Sequence, residues 1–247
     1  MTITERPTDV VYRATGDPTA PDLHPNGVNH LAISTADMKL QLTFFAEVLG
    51  CPTKALYWMH GVPNTFHGFV QLADASYIAF VQAPGNPTEP VWGVTHSGNS
   101  GDPVTAGTMQ HVALNVDSID EVLAMRDRIR SHGIQVLGPL DHGMIQSIYF
   151  AGPENLSLEV CTGTAIDERQ WIDPEVQALC GIDADEMQRL VAPAGFDRPA
   201  DAVAQPERDE SLPSMHYPSG AIDKIMGLPD DFVWANLSVT DPPVPLP

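Results

Sequence analysis

Three side chains of this sequence, His30, His111 and Glu159, could hold a metal, and His142 and Tyr149 could move protons beside it. The densest stretch is Asp141-His142-Gly143-Met144-Ile145-Gln146-Ser147-Ile148-Tyr149, running on to Gly152-Pro153-Glu154-Asn155 and Glu159. Two imidazoles and one carboxylate, with the opposite positions left open, make the donor set of non-haem Fe(II) oxygenases. An imidazole that titrates near neutral pH suits the proton transfers of such chemistry. A lone His on a strand is ordinarily a satisfied structural residue. Here two recur at equivalent places in a repeat, and Glu159 closes an otherwise apolar run of Leu156, Leu158 and Val160.

That repeat must position the donors. Val28-Asn29-His30-Leu31-Ala32-Ile33-Ser34-Thr35-Ala36-Asp37-Met38 matches Met109-Gln110-His111-Val112-Ala113-Leu114-Asn115-Val116-Asp117-Ser118-Ile119. Self-similarity of this kind marks duplicated structural units. Each segment reads as a short strand with His near its start, then a polar N-cap and a helix. Met38, Leu42, Phe45 and Leu49 recur at helical spacing, and Gly50 offers a left-handed stop. Ile119, Val122, Met125 and Ile129 repeat the pattern and end near Gly133, with Asp117 expected as the N-cap and Asp120 and Glu121 favouring the helix dipole. Strand-like runs follow at 55–59, 66–72 and 77–82, and again at 134–137, 145–150 and 156–161. Asn155 is a turn residue that tolerates positive φ. Each unit reads β-α-β-β-β. The expected fold is therefore α+β, two βαβββ modules forming one domain at 27–162 (modules 27–83 and 108–162).

An extended arm is expected at 1–26, and a C-terminal extension at 163–247 with short helices near 174–179 and 184–191. The join at 84–107, rich in Gly, Pro, Thr and Ser, is long for a connector and is expected to be a lid or pocket wall. The tail is proline-rich yet carries Trp171, Met187, Ile225, Phe232 and Trp234, too apolar for a freely disordered segment. It is expected to wrap the body or a partner subunit, most simply in a homodimer.

The chain has 32 acidic and 12 basic residues and a formal net charge of −20, which disfavours nucleic acid and anionic membranes as partners. No apolar run approaches the ~20 residues of a membrane span. The N-terminus lacks the basic and apolar blocks of a signal peptide, so a cytoplasmic location is expected. Three widely spaced cysteines, Cys51, Cys161 and Cys180, form no CxxC pair and indicate neither a zinc knuckle nor a redox dithiol.

The paired units with a His opening each first strand resemble the vicinal oxygen chelate superfamily. That superfamily includes glyoxalase I, methylmalonyl-CoA epimerase, fosfomycin-resistance thiol transferases, bleomycin-binding proteins and extradiol ring-cleavage dioxygenases. The second unit is most similar to the extradiol branch, whose signature His142, Ile148, Tyr149, Pro153 and Glu159 match in spacing. Leu140, Gly152 and Asn155 depart from the pattern. The resemblance implies His30, His111 and Glu159 as ligands of Fe(II) or Mn(II), with O2 as co-substrate and a small aromatic diol as substrate. It implies His142 and Tyr149 over the open positions, and an acid–base His leading into His111. His96 is the natural choice for that last role, with His67 and His60 as rivals. Trp58, Met59, Phe66, His67, Phe69, Trp92 and Met144 are the expected substrate contacts. The partner of Glu159 in the first unit falls at about Phe80, which cannot ligate. Gln82, two residues on and on the same strand face, is the alternative fourth ligand. A metal-dependent lyase or isomerase of the glyoxalase kind, and a metal-free binder of small aromatic compounds, are the competing expectations.

Overall fold

The structure, a computed structural model, describes residues 23–217 and 220–246. Nearly all of the expected arm lies outside the described residues. Residues 24–194 form one compact unit and those from Gly195 onward a second.

The first unit holds two four-stranded sheets. One contains β1 (His30–Ser34), β2 (Thr53–Trp58), β3 (Phe66–Ala73) and β4 (Ser76–Gln82) in the order β1-β4-β3-β2. The other contains β5 (Val112–Asn115), β6 (Val136–Asp141), β7 (Ile145–Ala151) and β8 (Ser157–Gly163) in the order β5-β8-β7-β6. In each sheet the first strand lies parallel to the last and the remaining pairs are antiparallel. The parallel pair requires a crossover, supplied by α1 (Met38–Thr43) with a π-helical turn at Phe44–Val48, and by α2 (Ile119–Ser131). The architecture is thus the expected pair of βαβββ modules.

Local chemistry sets the helix ends. Asp37 accepts a hydrogen bond from the Leu40 amide at 2.9 Å to start α1. At α2 the cap is Ser118 rather than Asp117. Ser118 is the last extended residue (φ −152°, ψ 160°), and its hydroxyl accepts from the Glu121 amide at 3.3 Å. The Glu121 carboxylate accepts in turn from the Asp117 amide at 2.7 Å. Gly50 (φ +80°) and Gly133 (φ +79°) make the left-handed exits.

Strand alternation sorts the sheets into two faces. One face packs on the helices, burying Ile33, Phe45, Val70, Ile78 and Phe80 in the first module and Val112, Val122, Ile129, Ile148 and Leu158 in the second, all in one core cluster. Full burial of side chains this size contributes roughly 1.5–3 kcal/mol each. At Gly68 a Cβ would lie 2.6 Å from Met38 Sδ, so α1 rests directly on β3. The other face carries His30, Ala32 and Ser34 of β1 and Ala113 and Asn115 of β5, all exposed. One cavity is lined by both Ile33–Ala36 and Met109–Gln110, and another by both Val28, Leu31 and Val112–Asp117.

The second module also grips the helix of the first. Glu154 accepts from the Thr35 hydroxyl (2.6 Å), the Ala36 amide (2.7 Å) and the Gln41 side-chain amide (2.7 Å) at the start of α1. At the far end, Arg128 donates to the carbonyls of Val48 (2.7 Å) and Glu47 (3.0 Å). A carboxylate at the N-terminus and a guanidinium at the C-terminus both complement the helix dipole.

Beyond β8 the first unit continues through α3 (Glu168–Trp171), α4 (Pro174–Leu179) and α5 (Ala184–Val191). α4 and α5 fall where the apolar spacing placed them, whereas the single turn of α3 is too short to show a period. The second unit contains α6 (Ala221–Met226) and α7 (Asp230–Leu237), neither with a buried residue. Among the described residues no helix is long and apolar enough to cross a membrane.

Candidate functional site

The two imidazoles are oriented in the same way. His30 Nδ1 lies 2.9 Å from Asn29 Oδ1, and His111 Nδ1 is hydrogen-bonded to Gln110 Oε1. An amide oxygen only accepts, so each imidazole donates from Nδ1 and keeps the lone pair on Nε2. The Gln110 amide is itself fixed, because its Nε2 donates to the carbonyls of Asn99 (2.9 Å) and Asp102 (3.3 Å). Partners that hold the far nitrogen in this way set the tautomer of metal-ligating histidines.

Glu159 is buried, at 4% exposure. Its Oε2 lies 2.9 Å from His111 Nε2, and its Oε1 accepts from the Ser147 hydroxyl. With the Nδ1 proton committed to Gln110, a lone pair on His111 Nε2 faces a carboxylate oxygen. A second proton or a cation between them resolves that repulsion. The donors thus fit a divalent metal in type and orientation. They are not gathered into one cluster: among the described residues no three His, Cys, Asp or Glu side chains are grouped to hold an ion. His111 and Glu159 are paired, whereas His30 packs edge-on against Phe69 at 5.7 Å.

Tyr149 lies opposite Glu159 across the β7–β8 ladder, and its hydroxyl is 3.1 Å from His142 Nε2. Burial pushes the phenol up from its usual range, the Glu159 carboxylate adds to this, and the Ser147 hydroxyl opposes it. Asp141 holds the turn before it, accepting from the Gly143 amide (2.8 Å) and from Gln146 Nε2 (3.1 Å); these bonds keep its carboxyl below the usual aspartate range.

Register corrects the position that matches Glu159 in the first module. Ala113 pairs with Glu159 across β5 and β8, and Ala32, its repeat equivalent, pairs with Ala79 across β1 and β4. The residue is Ala79, not Phe80: both are fully buried, but Phe80 belongs to the core cluster on the helix-facing side, whereas Ala79 lies on the His30 side of β4. Gln82 lies on the same helix-facing side, where its Oε1 accepts from the Met38 amide at 2.8 Å, so it is not a fourth ligand. A one-residue slip moves every side chain to the other face.

The same alternation divides the expected substrate contacts. His67 and Phe69 lie on the face of His30, because they pair through Val81 and Ala79 with that face of β4. Tyr57 and Tyr77 join them: Tyr57 donates to or accepts from His67 Nδ1 at 3.2 Å, and Tyr77 meets Phe69 at 6.1 Å. Burial holds the His67 imidazole below its usual range, with His30 and His60 adding to the effect. Trp58 and Phe66 pair with each other on the opposite face, rings 4.7 Å apart, so they do not line the His30 face. Met59 is half-buried just past β2, and Met144 half-buried in the turn after His142. His96 is committed elsewhere. Its Nε2 donates to the Glu154 carbonyl at 3.1 Å, its Nδ1 meets the Thr95 hydroxyl at 2.9 Å, and Trp92 packs edge-on against it at 5.8 Å.

A family model described as the Glyoxalase/Bleomycin resistance protein/Dioxygenase superfamily matches residues 27–160, more than half of the 247-residue chain. The chain belongs to this superfamily. Similar solved structures include a glyoxylase/bleomycin resistance protein/dioxygenase domain from Frankia sp. EAN1pec, 16% identical over 57% of this chain and 100% of that one (TM-score 0.47). The fosfomycin resistance protein FosX from Listeria monocytogenes, complexed with Mn(II) and sulfate, is 18% identical over 60% and 99% of the two chains (TM-score 0.40). An antibiotic binding protein, TnmS3, from Streptomyces sp. CB03234 is 19% identical over 57% and 99% (TM-score 0.39). No curated protein matches the sequence.

Within the superfamily's scaffold, Asn29, Gln110 and Ser147 were not singled out by sequence reasoning. A signal for the first two was present: an amide residue precedes the histidine in both copies of the repeat. Ser147 carried none, since its role depends on the register that sets it beside Glu159.

Proposed function

We propose that this protein is a divalent-metal-dependent dioxygenase of the extradiol type, opening the ring of a catechol-like substrate with O2. The observation that carries this reading is the matched orientation of His30 and His111, each with Nδ1 tied to a preceding amide, and with His111 Nε2 turned to the Glu159 carboxylate at 2.9 Å. Glu159, fixed by Ser147, completes the donor set, and Ala79 contributes no fourth donor. Fe(II) or Mn(II) bound by these residues would supply the redox chemistry between a catecholate and O2.

The remaining chemistry belongs to the chain. The Tyr149 hydroxyl donates to a substrate oxygen, and His142 exchanges protons with it at 3.1 Å. Phe69 and Tyr57 pack against the ring face. Both atoms of O2 enter the ring-opened product, so no external reductant is needed. Anaerobic reconstitution with Fe(II), then exposure to O2 with a panel of catechols, should give O2 consumption and yellow ring-fission products. Metal-loaded protein that consumes no O2 with any member of the panel would exclude this activity.

A metal-free aromatic binder is the second reading. The separation of His30 from the His111–Glu159 pair and the Tyr57, His67, Phe69 and Tyr77 wall favour it. Retention of catechol affinity after exhaustive chelation, with no turnover when metal is restored, would select it.

A further inference from the structure

The turn that carries His142 is braced by the segment that follows the matched superfamily region. Gly143 sits at φ +84°, and a Cβ there would lie 2.9 Å from Trp171 Cη2 and 3.1 Å from Cζ2, so the indole edge packs directly on the glycine. Trp171 ends α3, whose start is fixed by Asp167: its carbonyl accepts from the Trp171 amide at 3.1 Å, and its carboxylate is bonded to Arg169 at 2.6 and 2.8 Å. Thr164 donates to the Met144 carbonyl at 3.3 Å, tying the same turn to the end of β8. Trp171 remains 45% exposed, so it is a cover over the turn rather than a core residue.

We infer that Trp171 is a positioning residue for His142, pinning the Gly143 turn so that the imidazole stays within hydrogen-bond reach of Tyr149. The inference rests on the role given to His142 above. A glycine in the left-handed region is free to sample other conformations unless something covers it. The backbone of this turn is also held by Asp141 and by the bond from the His142 amide to the Ile145 carbonyl at 2.8 Å. His142 is exposed, however, and among the described residues its ring is bonded only to Tyr149, so Trp171 is the side chain that covers the turn. Small misplacements of a proton-transfer group lower turnover more than binding.

The test pairs turnover with a readout that does not need it. Trp171→Ala should lower kcat on the order of tenfold with little change in KM, and Trp171→Phe should restore most of the loss. In a His142→Asn background, Trp171→Ala should cost nothing further, because the group it positions is gone. In the metal-free full-length protein, the His142 ring resonances, assigned by their loss in His142→Asn, should shift and broaden in Trp171→Ala while those of His96 stay. Unmoved His142 resonances, or additive losses in the double variant, would overturn the inference. If the wild-type chain opens no catechol ring but the His142 resonances move, the positioning role stands and the functional reading fails.

Discussion

Glu154 links the two modules more tightly than any other single side chain described, and its removal should be costly. Three donors from the first module converge on its carboxylate: the Thr35 hydroxyl and Gln41 amide on Oε2, and the Ala36 amide on Oε1. Thr35 and Gln41 are 2% and 0% exposed, so neither can turn to water when the acceptor is lost. In Glu154→Gln the new NH2 must face at least one donor. Kept with its oxygen at the Oε2 position, it loses the Ala36 bond and weakens two charge-assisted bonds to neutral ones. Bonds to charged groups contribute roughly 1.5–3 kcal/mol and neutral ones about 1 kcal/mol. Allowing for relaxation, the expected loss is about 2–4 kcal/mol.

A companion pair separates the bonds from the backbone. Glu154 sits at φ +54°, where a side chain costs roughly 1–2 kcal/mol relative to glycine. Glu154→Gly should therefore be less destabilising than Glu154→Ala by about 1 kcal/mol, although both lose every bond. Urea unfolding followed by tryptophan fluorescence and far-UV circular dichroism would measure this, with coincident transitions and an unchanged m-value as the check on two-state behaviour. A Glu154→Gln midpoint within about 0.5 kcal/mol of wild type would refute the clamp, as would an alanine variant as stable as the glycine one.

Three further outcomes test the site. Asn29→Ala and Gln110→Ala should each weaken metal affinity about 10–100-fold by releasing the imidazole tautomer, measured by calorimetric titration; unchanged affinity in both would remove the tautomer argument. Ala79→Glu should tighten metal binding while suppressing O2 consumption with catechols, because it adds a fourth donor at the repeat equivalent of Glu159. An Ala79→Glu variant with wild-type affinity would mean that Ala79 does not face the ion. Tyr149→Phe and His142→Asn should leave metal stoichiometry intact but slow turnover on the order of 10²-fold, and unchanged kcat in both would reduce them to structural residues.

The fold was legible because duplication wrote it twice. His30 and His111, the apolar spacing of the two helices, and Gly50 and Gly133 at their exits are each local signals. What escaped was register. The run Tyr77-Ile78-Ala79-Phe80-Val81 is apolar throughout and carries no alternation to mark its faces; only the pairing of Ala32 with Ala79 decides which residue meets the site. For the same reason Trp58 and Phe66 fall on the helix-facing side, whereas Tyr57 and Tyr77 lie on the His30 face. The Glu154 and Arg128 clamps join residues at least 80 positions apart, a distance at which no pattern in one sequence reveals a contact. The resemblance implies an acid–base His leading into His111, and His96 in that segment has its ring bonded to the Glu154 carbonyl.

Register also shows how the duplicated halves have diverged. Ladder partners place His67, Phe69 and Ala79 of the first module where the second has Ser147, Tyr149 and Glu159. The positions that hold a carboxylate, its hydroxyl partner and a phenol in one half hold a methyl group and two rings in the other. The histidines are kept in both, each with its orienting amide. On the proposed reading this asymmetry fixes which way a substrate lies. Its ring gains contact area against Phe69 and Tyr57, while its oxygens find donors only on the side of Tyr149 and His142. The opposite placement would bury those oxygens against Phe69 and Ala79 with no partner, at a cost of about 1–3 kcal/mol for each unsatisfied group. On that reading, the divergence of these ladder positions gives the duplicated scaffold a binding side and a reacting side.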